Sequence, residues 1–300
     1  MMLTFDFPRD GDIHTLADFT EILCLLTPDR MCSRDSLADY VRDNNPEKAI
    51  SDDQLEDTFE QLRWRTLAFG ERYPFTLIEH GRVLSGVPQT SDSQNLYVFL
   101  LLCANLPFLE RGATKPLTDA FEKLSLAAIR KLWPKNAVVR AFGKNETEYT
   151  GEKWQRLNAL SKDLGGSASL TKEDFRKNDS GDGGVDLVAW LQLDKHEGSH
   201  IPSALAQCAC SRSQWAKKQS EITHQRLGNH LRPSYPWMEM IFIPLSFRDN
   251  RGSWAVKADV TAIIVMDRLR ILNHVDEEDI NTFEQPNVLR RFLEARLELV

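Results

Sequence analysis

Residues 181–210 read GDGGVDLVAWLQLDKHEGSHIPSALAQCAC, and the order of apolar and polar residues within them decides the fold of the surrounding chain. VDLVAWLQL and SALAQCAC have strand composition, while DKHEGSH between them has the composition of a turn. The stretch predicts an antiparallel hairpin of residues 185–193 with 203–210. A register that sets Asp186 opposite Gln207 sends both side chains to one face, and a slip of one residue sends Gln207 to the other.

HEGSH, from His196 to His200, also fits the spacing H-E-x-x-H. That spacing holds zinc only on a helix, where four residues bring both imidazoles to one face and the glutamate next to the metal-bound water. Gly198 and Ser199 in the middle and Pro202 just beyond are poor helix formers, and no third ligand follows at a zinc-protease spacing. HEGSH is therefore expected in the hairpin turn, with solvated histidines.

Working outward, the first hundred residues have mainly helical periodicity. LADFTEILCLL, SLADYVRD and DDQLEDTFEQLRWRTLAFG predict packed helices, the last with Leu55, Phe59, Leu62 and Leu67 on its inner face and Ser51 or Asp52 as cap. YPFTLIEHGRVLSGV predicts a short hairpin turning at His80-Gly81. LYVFLLLCANLPFL, from Leu96, is too short for a bilayer and contains Pro107, which predicts a buried helix. Charge, Gly and Pro cluster in ERGATKP, residues 110–116, and predict a domain boundary there. Beyond it come the amphipathic helix LTDAFEKLSLAAIRKLW, the strand NAVVRAFG, the helix GEKWQRLNALSKDLGG and the hairpin. A helix around SQWAKKQSEITHQRL, strands EMIFIPLSF and VTAIIVMD, and a closing helix interrupted near Pro286 complete the chain.

The chain has 300 residues, a formal charge of −7 and five cysteines at irregular spacing. Its length predicts two cores, and its charge excludes a basic coat over the whole surface while leaving room for a local basic groove. The cysteines read as reduced thiols, and MMLTFDFPRD lacks the pattern of a secretory signal. The expectation is a soluble, cytoplasmic protein without a membrane partner.

GDGGVDLVAW followed by a strand ending AQCAC resembles the PD-(D/E)xK, restriction-endonuclease-like superfamily over about the C-terminal two-thirds of the chain. The pattern of a DGGVD-A-W strand, a QCA strand, Trp and Lys soon after, and a later DRLR is similar to bacterial members found beside anti-phage defence genes. The resemblance implies an α/β (α+β) fold: a mixed sheet flanked by helices at 111–300, preceded by a mainly helical domain at 1–110. It implies a nuclease dependent on Mg²⁺ or Mn²⁺, with DNA the expected nucleic acid. An expectation of another class is a catalytically inactive module that binds nucleic acid or a partner protein of the defence system.

By the same resemblance, Asp186 is the main anionic metal ligand, Gln207 supplies a neutral oxygen and the carbonyl of Cys208 a further one. A hard oxygen site of this kind suits Mg²⁺, which lowers the pKa of the attacking water. The helix carboxylate is Glu122, in AFEKLSLAAIRKLW, with Glu152 as the alternative; in the latter segment Gln155 aligns best. Ala209 stands where the superfamily has lysine, so Lys218, or else Lys217, is expected to return an ammonium from the following helix. Residues 211–230 hold four basic residues, Arg212, Lys217, Lys218 and Arg226, and one acid, Glu221, with Trp215 interleaved. Arg212, Trp215, Lys217 and Arg226 are thus candidates for holding a phosphate backbone. Asp267, Arg268 and Arg270, in VMDRLRI, are expected to make structural ion pairs.

Overall fold

The computed structural model describes residues 12–44, 50–143, 147–176 and 183–296. MMLTFDFPRD and the Gly181-Asp182 that begins the hairpin stretch lie outside them. In chain order, α1 (Ile13–Leu26) starts on Asp12, whose carboxylate accepts from the N–H groups of His14 and Thr15, each at 2.9 Å. β1 (Met31–Ser33) and α2 (Arg34–Asn44) follow. α3 (Asp52–Phe69) opens on a capping box in which Ser51 and Gln54 satisfy each other's backbone N–H. β2 (Phe75–Ile78) and β3 (Val83–Gly86) form the expected hairpin, with Glu79, His80 and Gly81 all at positive φ in its turn. β1 pairs with β3, giving a three-stranded antiparallel sheet in the order β1-β3-β2. α4 (Asp92–Cys103) is buried from Asn95 to Cys103, as its unbroken apolar run requires.

α5 (Arg111–Leu132) leads to β4 (Val138–Ala141), α6 (Lys153–Asp163), β5 (Leu187–Trp190), β6 (Ser203–Cys208), α7 (Trp215–Lys218) and α8 (His224–Leu231). β7 (Met238–Phe242), β8 (Ile264–Met266), α9 (Arg268–Asn273), α10 (Glu277–Thr282) and α11 (Asn287–Glu294) complete the chain. The five later strands form one mixed sheet in the order β4-β5-β6-β7-β8. β4, β5 and β6 are mutually antiparallel, whereas β6, β7 and β8 run parallel. The chain is therefore mixed α/β with two separate sheets.

Two compact units divide the chain: Met1–Ala120 with Pro244–Lys257 and Glu277–Val300, and Phe121–Ile243 with Ala258–Asp276. The two units meet in sequence between Ala120 and Phe121, within α5, the helix that also contains residues 111–116 of the expected boundary. Pro116 sits little more than a turn into that helix and removes one hydrogen bond, to the carbonyl of exposed Gly112, which water can satisfy. The return of the chain end to the first unit is sealed by apolar contact, with the rings of Phe99 and Phe283 5.0 Å apart.

Two other expectations change. Leu67 is 80% exposed, and the buried stripe of α3 runs through Leu55, Phe59, Leu62, Arg65 and Phe69. Leu67 is five residues past Leu62, which puts it off the three-and-four spacing of that stripe. The helix expected around SQWAKKQSEITHQRL is two short helices joined by a 3-10 turn, Gln219–Ile222. The break coincides with a buried Gln219, whose Nε2 donates to Asp259 O at 2.6 Å and whose Oε1 accepts from Thr261 Oγ1 at 2.9 Å. Thr223 then takes an extended backbone and opens α8.

Candidate active site

The hairpin forms in the expected register, with Leu187 opposite Ala206 and Trp190 opposite Ser203, and HEGSH lies in the connection between the strands. His196 and His200 are exposed and non-helical, and His200 has φ 56°. Asp194 Oδ1 holds the turn by accepting from the N–H groups of His196 at 2.6 Å and Glu197 at 2.9 Å. Gly165 ends α6 at φ +67°, where a Cβ would stand 2.1 Å from Gly198 O, so glycine is required by both conformation and contact. His196→Ala and His200→Ala are expected to leave any hydrolytic activity within about twofold of wild type, since neither ring belongs to a metal-binding helix. Loss of activity in either variant, measured at fixed Mg²⁺, would restore the zinc reading.

Side-chain alternation gives β6 two faces. Ala204, Ala206 and Cys208 share one with Ala189 and Ala141 of the neighbouring strands. On this face Glu122 and Ser125 of α5 lie near the Cys208 thiol; burial first, then the Asp186 and Glu122 carboxylates, push that thiol's pKa well up. Leu205, Gln207 and the neighbouring Val188 and Arg140 share the other face. There Arg140 reaches Asp163 of α6 at 3.4 Å, and Glu239 of β7 accepts from the first N–H of α8 at 2.8 Å.

Asp186 sits at the end of the sheet between these faces. Its N–H donates at 2.9 Å to Ala206 O, the carbonyl of the residue already paired with Leu187, so the ladder bulges by one residue. Its own carbonyl accepts from Phe142 N–H at 2.7 Å and Gly143 N–H at 3.1 Å. Asp186 Oδ2 accepts from Cys208 N–H at 2.7 Å. Asp186 Oδ1 and Glu122 Oε2 stand 3.4 and 3.6 Å from the point where a Cβ on Gly143 would lie, which brings the two carboxylates to one place.

The expected common face of Asp186 and Gln207 is corrected by the bulge. Gln207 is 4% exposed and donates Nε2 to Glu221 Oε2 at 2.6 Å, while its Oε1 is buried without a hydrogen-bond partner. Gly184, at φ +86°, leaves room for this pair: a Cβ there would stand 2.7 Å from Glu221 and 3.5 Å from Gln207 Nε2. The candidate ligands thus straddle the sheet end rather than line one face.

Glu152 lies elsewhere. It binds Trp154 Nε1 at 2.9 Å and Lys172 at 3.1 Å, contacts that in that order lower its pKa, and its N–H donates to Gln155 Oε1 at 2.8 Å at the start of α6. Ala209, at the position of the missing lysine, is fully buried. Among the described residues, neither Lys217, exposed, nor Lys218, half-buried, forms an ion pair. Trp215 is only 2% exposed, so its expected role in stacking on bases is corrected to a core role. Arg226 is exposed and Arg212 half-buried. Asp267 caps α9 by accepting from Arg270 N–H at 3.1 Å, and Arg268 is fully buried.

Two neighbours were missed from sequence. Arg156, the basic residue on the buried stripe of α6, donates Nη2 to the carbonyls of Phe142 and Gly143 and lies over the Phe142 ring at 4.7 Å. Glu221 was visible only as the sole acid in a basic run. Among the described residues no group of three or more His, Cys, Asp or Glu side chains is placed to hold a metal ion, and no helix is long and apolar enough to cross a membrane. Comparison with family models, curated proteins and solved structures finds no match to this chain.

Proposed function

We propose that the chain is a Mg²⁺-dependent hydrolase of nucleic-acid phosphodiester bonds with a restriction-endonuclease-like second unit. The observation that carries this reading is the convergence of Asp186 and Glu122 beside Gly143 at the end of a mixed sheet. Two carboxylates are donors of the kind a hard cation takes. Mg²⁺ is commonly held by one or two carboxylates, with water and substrate phosphate completing its shell, so a larger cluster is not required. When bound, the ion would polarise the phosphate and acidify the attacking water. In this chain Asp186 and Glu122 would hold it, while Cys208 N–H and the α6-bound Phe142-Gly143 turn fix Asp186 in place. DNA as substrate and an anti-phage setting follow from the sequence resemblance alone.

A second reading, an inactive module that binds nucleic acid or a partner protein, is favoured by the sealed Ala209 and by the absence of an ion pair from Lys217 or Lys218 to the carboxylates. Incubation of the protein with plasmid, linear and single-stranded DNA and with RNA separates the two. The nuclease reading expects cleavage with Mg²⁺ or Mn²⁺ and none with EDTA; binding without cleavage in every mixture supports the module. In the active protein, Lys218→Ala is expected to lower the single-turnover rate at saturating nucleic acid by about 10²-fold if its ammonium serves the chemistry. Unchanged saturating rates in both Lys217→Ala and Lys218→Ala would remove the lysines from the mechanism.

A further inference from the structure

We infer that Arg156 is a positioning residue for the cation site, acting through the Phe142-Gly143 turn; this rests on the metal-dependent reading above. Arg156 lies on the buried stripe of α6. Its Nη2 donates to two successive carbonyls, Phe142 O and, at 3.2 Å, Gly143 O. The N–H groups of the same two residues donate to Asp186 O at 2.7 and 3.1 Å. The turn is thus gripped on its carbonyls by the guanidinium and on its N–H groups by Asp186. A charged donor makes the stronger bond, so the guanidinium sets where the turn sits. Asp186 Oδ1 and Glu122 Oε2 come together beside Gly143 of this same turn.

A second contact ties the turn to α6. The fully buried Phe142 ring has the guanidinium carbon of Arg156 4.7 Å from its centroid and the Tyr149 ring 4.9 Å away. Tyr149 OH donates to Asp163 Oδ2 of α6 at 2.7 Å. α6 is anchored in turn by Ser161, whose Oγ donates to Leu231 O of α8 at 2.6 Å, so Arg156 acts from a fixed support. A guanidinium is costly to bury, and the two carbonyls and the aromatic face offset that cost. Without Arg156 both carbonyls lose this donor and the turn that holds the Asp186 backbone loosens. The Asp186 carboxylate keeps its own bond to Cys208 N–H, so the ligand is displaced rather than lost. Groups that orient a metal ligand from behind typically carry about 10- to 100-fold of metal affinity.

The test is the affinity of the full chain for Mn²⁺, read from the free-ion electron paramagnetic resonance signal in wild type, Arg156→Met, Arg156→Lys and Leu160→Ala. Arg156→Met is expected to weaken Mn²⁺ binding by about tenfold. Arg156→Lys keeps the charge but not the planar stack over Phe142, and is expected to lose about threefold. Leu160→Ala removes buried packing from the same helix but no donor to the turn, and is expected to stay within about twofold of wild type. If wild type binds Mn²⁺ and folded Arg156→Met binds it equally well, the positioning role is overturned and the cation site stands. If Leu160→Ala loses as much as Arg156→Met, the loss reports the packing of α6 and the inference also fails. If Arg156→Met does not fold, Arg156→Lys decides, and wild-type affinity in it overturns the role. If folded wild type binds no Mn²⁺ at millimolar concentration with nucleic acid present, the cation site itself fails and takes the inference with it.

Discussion

Asp186→Asn is expected to lower metal-dependent cleavage by at least about 10²-fold at saturating substrate, with little change in melting temperature. Asparagine is the sharper substitution because Asp186 has two tasks. Its Oδ2 accepts from Cys208 N–H at 2.7 Å, and an amide oxygen can keep that bond while the negative charge is lost. Alanine would remove both and add the cost, about 1–3 kcal/mol, of an unsatisfied backbone donor. Glu122→Gln is expected to reduce cleavage as well, since Glu122 Oε2 shares the space beside Gly143 with Asp186 Oδ1. Glu152→Gln should leave the rate unchanged, because Glu152 is engaged with Trp154 and Lys172 on the surface. A folded Asp186→Asn protein that cleaves at the wild-type rate would remove Asp186 from the chemistry.

The second large effect is on stability. Arg65 is fully buried and donates Nη1 to Asp18 Oδ1 at 2.7 Å and Glu21 Oε1 at 2.8 Å. Tyr73 and Tyr97 donate to Glu21 Oε1 at 2.7 and 2.9 Å, and Asn105 donates to Asp18 Oδ2 at 3.2 Å. Arg65→Ala would leave two carboxylates buried in the first unit without their cation and is expected to cost about 3–5 kcal/mol. The Coulomb attraction of Glu21 and Asp18 outweighs the guanidinium's own desolvation and holds its pKa well up, so the network keeps this cation charged at every ordinary pH. Urea unfolding of the variant measures the loss; a loss below about 1 kcal/mol would mean that water or a rearranged partner replaces the guanidinium.

The same residue marks where sequence reading stops. Periodicity found α3 and three of its inner residues, but a buried arginine has the sequence appearance of a surface one, and Leu67 looked like the better core residue. Its burial is decided by Asp18, Glu21, Tyr73 and Tyr97, none adjacent to it in sequence. Local patterns were enough for the β2–β3 hairpin, the buried α4 and the HEGSH turn, because each is set by neighbours along the chain. The third strand β1, the return of the chain end to the first unit and the two-helix break at Gln219 depend on distant partners and left no local sign. At the site, strand composition and turn placement gave the hairpin register, whereas the bulge at Asp186 goes with hydrogen bonds to Phe142 and Gly143, just past β4, and to Ala206 of β6. Trp215 shows the same limit from the other side: an aromatic between basic residues fits a nucleic-acid surface and a helix core equally well until burial is known.

The measurement closest to the central claim is a Mn²⁺ soak of crystals grown with a non-hydrolysable single-stranded or duplex oligonucleotide, located by anomalous scattering. A Mn²⁺ peak at coordination distance from carboxylate oxygens of both Asp186 and Glu122, about 2.0–2.3 Å as for hard-cation sites, is the predicted result. A Mn²⁺ peak bound elsewhere, with Asp186 and Glu122 still free of metal, would contradict it.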